Sequence, residues 1–122
     1  GYKITDAKSG RSLAYVPGIK QIDADMAALL GDCECVFLDG TFWSDGELIN
    51  LGIAQKSALE IGHIPISGPE GSLAKLANLR GVRKIYIHIN NTNPMLIEDS
   101  SERRIVEQAG WEVAFDGMDL QI

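Results

Sequence analysis

The chain has 122 residues, 45% of them hydrophobic, enough for one core that buries roughly two-thirds of the surface its unfolded form exposes. Its formal net charge of -6 argues against a phosphate-backbone partner, because binding to nucleic acid draws on clustered Lys and Arg. No stretch approaches the ~20 apolar residues of a membrane span, and the opening Gly1-Tyr2-Lys3-Ile4-Thr5-Asp6 lacks the apolar centre of a signal peptide, so the chain reads as soluble and cytoplasmic.

Starting directly in a strand-like segment without methionine, the chain reads as a piece of a longer one. Tyr2 to Ala7 and Ser12 to Val16 predict two strands, joined by Lys8-Ser9-Gly10-Arg11, which has the glycine a short hairpin loop wants. Pro17-Gly18 stops the second strand. Asp23 then opens a helix over Met26, Ala27, Leu29 and Leu30, with Gly31 as its C-cap. Val36-Phe37-Leu38 predicts a short strand buried on both faces and ending at Asp39-Gly40. Ser44 with Glu47 has the spacing of a capping box ahead of Leu48 to Ile53, and Ser67 with Glu70 repeats it before the stripe Leu73, Leu76, Ala77 and Leu79, which ends near Gly81. Lys84 to Ile89 is the clearest strand. Asp99 with Glu102 caps a helix through Ile105, Val106 and Ala109 to Gly110, and Trp111 to Phe115 alternates as the last strand. This order predicts an α/β fold with a mixed sheet and helices on one face.

Cys33 and Cys35 are too close for an ordinary disulfide and one residue short of the Cys-x-x-Cys spacing. Two thiols on one face of a strand would meet a metal that had other ligands, but the plainer reading is a pair of reduced thiols in a core or edge. The chemically suggestive residues are Asp39, His63 and His88, each just after or at the end of an apolar stretch, where α/β folds point side chains into a crevice. His88 reads either as a core histidine satisfied by a carbonyl or as a metal ligand through a neutral imidazole nitrogen. His63 is a loop histidine or a proton donor at the mouth of a site. Asp39 is a turn former before Gly40, a metal ligand, or the group that holds His63 in one tautomer. The run Asn90 to Asn93 makes local turns or offers the amides of Asn90, Asn91 and Asn93 to a small polar substrate. Three groups cannot complete a catalytic metal site, so further ligands must come from elsewhere.

Four separated motifs carry a resemblance: Asp6-Ala7-Lys8-Ser9-Gly10-Arg11-Ser12-Leu13, Phe37-Leu38-Asp39-Gly40-Thr41-Phe42-Trp43, Gly62-His63-Ile64-Pro65-Ile66-Ser67-Gly68-Pro69 and His88-Ile89-Asn90-Asn91-Thr92-Asn93-Pro94. Together with Ala109-Gly110-Trp111-Glu112-Val113 and Asp116-Gly117-Met118 they resemble the protein B family of pyrroloquinoline quinone (PQQ) biosynthesis, within the metallo-β-lactamase fold superfamily. The resemblance implies half of an αββα sandwich, with residues 1–122 as the C-terminal half of a domain whose N-terminal half carries a His-x-His-x-Asp-His ligand cluster. It implies that His88 is a metal ligand and that Asp39 and His63 form a catalytic pair like the acid and histidine of the phosphodiesterase branch, Asp39 orienting His63. Where dinuclear relatives place a bridging aspartate, this chain has Pro17-Gly18, which implies a single metal, iron with zinc as the alternative, and redox work rather than two-metal hydrolysis.

The function so implied is an iron-dependent hydroxylation of the tyrosine in a glutamate-tyrosine precursor during PQQ biosynthesis. A carrier or transport protein for PQQ or its precursor and a metal-dependent hydrolase are the alternatives. The expected partners are a small peptide or quinone precursor and the missing N-terminal half, with no nucleic acid and no membrane. Alone, the fragment is expected to be inactive, a weak metal binder and prone to form homo-oligomers through its uncovered sheet.

Overall fold

A computed structural model describes residues 1–121. Five strands, β1 (Tyr2–Thr5), β2 (Ser12–Val16), β3 (Cys35–Asp39), β4 (Arg83–Ile87) and β5 (Trp111–Val113), line up in chain order in one sheet. The β1–β2 pair is antiparallel and every later pair is parallel, so the sheet is mixed, as the hairpin followed by strand-helix units predicts. Parallel neighbours need crossover connections. These are α1 (Ala24–Gly31), then α2 (Glu47–Asn50), α3 (Ala58–Ile61) and α4 (Ser72–Lys75), and finally a 3-10 turn (Pro94–Leu96) with α5 (Ser101–Gln108). No described helix is long and apolar enough to cross a membrane.

The register decides which face is packed. Ala14, Val36, Lys84 and Trp111 lie side by side across the sheet, as do Val16, Leu38, Tyr86 and Val113. Because side chains alternate along a strand, both rows share one face. All but Lys84 join Leu30, Ile64, Ile66, Leu76, Met95 and Val106 of the crossovers in a single buried cluster. The other face carries the row Tyr2, Tyr15, Phe37, Ile85 and Glu112, in which Tyr2 and Tyr15 remain 73% and 42% exposed. Asp39, two residues beyond Phe37, falls on this second face at the end of β3.

Tyr86 anchors the packed face. Its ring stacks on Trp111 with centroids 4.2 Å apart, and its hydroxyl lies 2.8 Å from Ser72 Oγ. Burial, reinforced by the Asp39 charge and opposed by the Ser72 hydrogen bond, pushes the phenol well above the ordinary tyrosine range. A folded-state value raised above the unfolded one stabilises the fold fully below the unfolded value and is lost as pH rises past it. Stability is therefore expected to fall as pH climbs above about 10, where an unfolded tyrosine ionises. Urea unfolding midpoints measured from neutral to alkaline pH check this, and Tyr86→Phe should flatten the decline.

Several element ends depart from expectation. Asp23 caps α1, accepting the Met26 N–H at 2.8 Å, but the helix includes Gly31 and ends at Asp32. Neither expected box at Ser44 or Ser67 forms. Glu47 instead starts α2, its buried carboxylate accepting the Trp43 N–H at 2.7 Å and the Thr92 hydroxyl at 2.5 Å. Glu70 pairs with Lys75 at the surface, and α4 begins after Gly71. The capping box that does form joins Ser57 and Glu60 ahead of α3, and Ser100 rather than Asp99 caps α5. β1, β4 and β5 stop at Thr5, Ile87 and Val113, short of the predicted Ala7, Ile89 and Phe115. Cys33 and Cys35 are free and buried, and desolvation raises the Cys35 thiol.

Candidate functional site

β3 and β4 run parallel with Asp39 opposite Ile87, so their carboxyl ends meet and the segments beyond them emerge together. Gly40 continues the ladder by one step, its N–H donating to Ile87 O at 2.8 Å. A Cβ at Gly40 would sit 2.9 Å from Tyr86 Cβ and 3.0 Å from Ile87 O, so only glycine lets the chain hug β4 here. Gly40→Ala is expected to destabilise the fold by about 1–3 kcal/mol through overpacking against backbone, measured by denaturant unfolding.

That close passage delivers Thr41 to His88. His88 is not on the strand but one residue past it, at φ 54, and is the one non-glycine among the described residues with positive φ. Such a conformation disfavours any L residue by about 1–2 kcal/mol and persists where surroundings over-determine it. The Thr41 hydroxyl lies 2.9 Å from His88 O and 2.8 Å from His88 Nδ1.

Asp39 is fully buried and accepts four hydrogen bonds. Oδ1 takes the Thr41 N–H at 3.1 Å and the Thr41 hydroxyl at 2.6 Å, and Oδ2 takes the Ile19 N–H at 3.0 Å and His63 Nδ1 at 2.8 Å. His63 is brought in by the left-handed Gly62 (φ 104) after α3, and its neighbour Ile64 is tied to Ile19 O at 2.6 Å. The two imidazoles then stack, with centroids 5.5 Å apart and planes 16° off parallel, while Phe42 presents an edge to His63. Nε2 of each ring has no partner among the described residues.

Asp39, His63 and His88 thus converge, with potential ligand atoms within 4.8 Å of one another. A carboxylate has about four acceptor positions, and at Asp39 all are engaged. What this arrangement offers a cation is therefore one or two imidazole nitrogens, with Asp39 holding a ring from behind, the usual relation of a carboxylate to a ligating histidine. Neutral imidazoles suit zinc and iron alike, but two are fewer than the three protein ligands of a typical catalytic centre. Gly18, two residues past β2, lies beside His63, an ideal Cβ there standing 3.7 Å from Cε1.

The asparagines separate. Asn93 is buried, its amide donating to Gly40 O at 2.9 Å and accepting the Met95 N–H at 3.0 Å, which makes it a fastener of the loop. Asn90 donates to Thr92, which in turn meets Glu47, and Asn91 is exposed. Beside His88 opens a cleft of about 270 Å³ walled by Ile87, Ile89, Leu96, Phe115 and Asp116. Thr41 and Glu47 were not among the expected site residues; Thr41 was present only as a letter in the Asp39-Gly40-Thr41-Phe42 motif.

The mixed sheet gathers an acid, two histidines and a hydroxyl beyond its parallel strand ends, and residues 1–89 match the β-lactamase superfamily domain. The chain belongs to that superfamily. It is 48% identical over 122 residues to coenzyme PQQ synthesis protein B of Cupriavidus necator, covering 100% of this chain and 40% of that protein. To the protein of the same name from Methylobacillus flagellatus it is 45% identical over 120 residues, 98% of this chain and 39% of the relative. The crystal structure of zinc-bound PqqB from Methylobacterium extorquens superposes with a TM-score of 0.89 at 43% identity, over 93% of this chain and 41% of that one. The resemblance read from the four motifs is borne out, and the chain spans about two-fifths of the length of these relatives.

Proposed function

We propose that this chain is the C-terminal half of a metal-dependent enzyme domain of PQQ biosynthesis, which hydroxylates the tyrosine ring of a glutamate-tyrosine precursor. The observation that carries the reading is the convergence of Asp39, Thr41, His63 and His88 in a chain similar along its whole length to PQQ synthesis protein B. In this reading residues 1–122 supply His88 to a single metal, iron in preference to zinc, and the remaining ligands lie in an N-terminal half that packs on the sheet face bearing Tyr2 and Tyr15. Zinc is the second choice because the Methylobacterium extorquens relative binds it.

The metal supplies oxygen activation when bound. This chain's residues do the rest. The cleft beside His88, with apolar walls at Ile89, Leu96 and Phe115, takes the phenol ring. Asn90 and Asn91, which follow in the chain, offer their amides to the peptide part. His63, fixed through Nδ1 by Asp39, presents Nε2 to accept the phenol proton. One oxygen atom of O2 replaces a ring hydrogen as hydroxyl. The other leaves as water, with two electrons and two protons from an external small-molecule reductant of the ascorbate type.

The test incubates the whole protein carrying this chain with ferrous iron, oxygen, ascorbate and a glutamate-tyrosine dipeptide. A dihydroxyphenyl product, one oxygen heavier by mass spectrometry, is expected. Tight binding of the finished quinone with no turnover would replace the enzyme by a carrier, and two bound metals per chain would revive hydrolysis. Alone, the chain is expected to be inactive and to self-associate in light scattering.

A further inference from the structure

We infer that Thr41 is a positioning residue whose hydroxyl locks His88 as the Nδ1–H tautomer, so that its Nε2 lone pair is the one free to ligate. The inference rests on the proposed reading of His88 as a metal ligand, but its core is a proton count that needs no metal.

Four groups crowd Thr41 Oγ1: Asp39 Oδ1 at 2.6 Å, His88 Nδ1 at 2.8 Å, His88 O at 2.9 Å and His63 Nδ1 at 3.1 Å. A hydroxyl has one proton to give and two lone pairs to offer. Asp39 Oδ1 and His88 O can only accept, so neither can supply a proton to Thr41. The shortest contact, to a carboxylate oxygen, is charge-assisted and takes the hydroxyl proton. The carbonyl of His88 can at most share that same proton. His63 Nδ1 lies closer to Asp39 Oδ2, at 2.8 Å, and directs its own proton there.

His88 Nδ1 then sits at hydrogen-bond distance from an oxygen whose proton is already committed. Two lone pairs facing each other at 2.8 Å would repel, so the proton of this contact belongs to the imidazole. The alternative, with Thr41 donating to His88, would leave Asp39 Oδ1 against a bare lone pair at 2.6 Å and is worse. Asp39 thus orients both imidazoles, His63 directly and His88 through one hydroxyl. The positive φ of His88 is held by the same residue, since Thr41 also braces its carbonyl.

Thr41→Val keeps the shape and removes the hydroxyl; Thr41→Ser keeps the hydroxyl and removes a methyl group. In the whole metal-free protein with nitrogen-labelled histidine, NMR is expected to find His88 as Nδ1–H, moved toward Nε2–H by Thr41→Val and returned by Thr41→Ser. Zinc affinity by chelator competition should weaken roughly 10–100-fold in the valine variant and recover in the serine variant. A purely structural threonine would leave the tautomer unmoved. The inference is overturned if unsubstituted His88 carries its proton on Nε2, or if the serine variant behaves like valine. Should the valine variant fail to fold, the unsubstituted and serine proteins still decide. Failure of the unsubstituted protein to bind zinc or ferrous iron would sink the metal reading alone, leaving the tautomer comparison intact.

Discussion

His88→Ala in the whole protein is expected to weaken ferrous iron or zinc binding by more than the roughly 100-fold ceiling of an outer-partner loss, and to abolish turnover of the dipeptide. Asp39 has no acceptor position left, and the proposed reaction assigns His63 Nε2 to the phenol proton, so the exposed imidazole beyond β4 is the group expected to ligate. The backbone complicates the substitution, because any L residue is disfavoured at φ 54. Asparagine tolerates this region better than most residues, so His88→Asn separates the two effects. It should keep the folded stability and still lose the metal. Chelator competition and a thermal melt on both variants check the pair, and wild-type affinity in either would remove His88 from the ligand set.

How much of this was legible beforehand depends on the range of the interaction. The strand cores, the α1 cap at Asp23 and the pairing of Asp39 with His63 follow from short apolar runs and from a motif, both of which survive in one dimension. Capping boxes fared worse. The Ser-x-x-Glu spacing occurs at Ser44, Ser57 and Ser67, yet only Ser57 with Glu60 forms the reciprocal bonds. Glu47 is drawn instead to Trp43 N–H and Thr92, 45 residues away, and Ser67 donates to Trp43 O at 2.7 Å. Local spacing cannot foresee a stronger distant partner. Thr41 escaped notice for the same reason, since a threonine after Asp-Gly looks like a turn residue until His88, 47 positions later, is folded against it. Asn93 shows the same limit, since its place in a polar loop gives no sign that its amide is fastened to backbone at both ends.

Asp39→Asn is expected to destabilise the protein by about 3 kcal/mol, although it changes one atom and preserves shape. Each carboxylate oxygen receives a backbone donor that cannot rotate away: Thr41 N–H on Oδ1 and Ile19 N–H on Oδ2. An amide has one oxygen and one NH2 group, so whichever way it turns, its NH2 faces one of those two fixed N–H groups and leaves it unanswered inside the fold. The less costly orientation sets the NH2 toward His63, because that ring can adapt by moving its own proton to Nε2 and accepting at Nδ1. His63 would then lose the lone pair proposed as the base. The variant should therefore combine a lower urea midpoint with an Nε2–H signal at His63, while the Thr41 side of the network, still bonded to an oxygen, keeps His88 as it was. Unchanged stability would mean that Asp39 is not the four-fold acceptor on which both imidazoles hang.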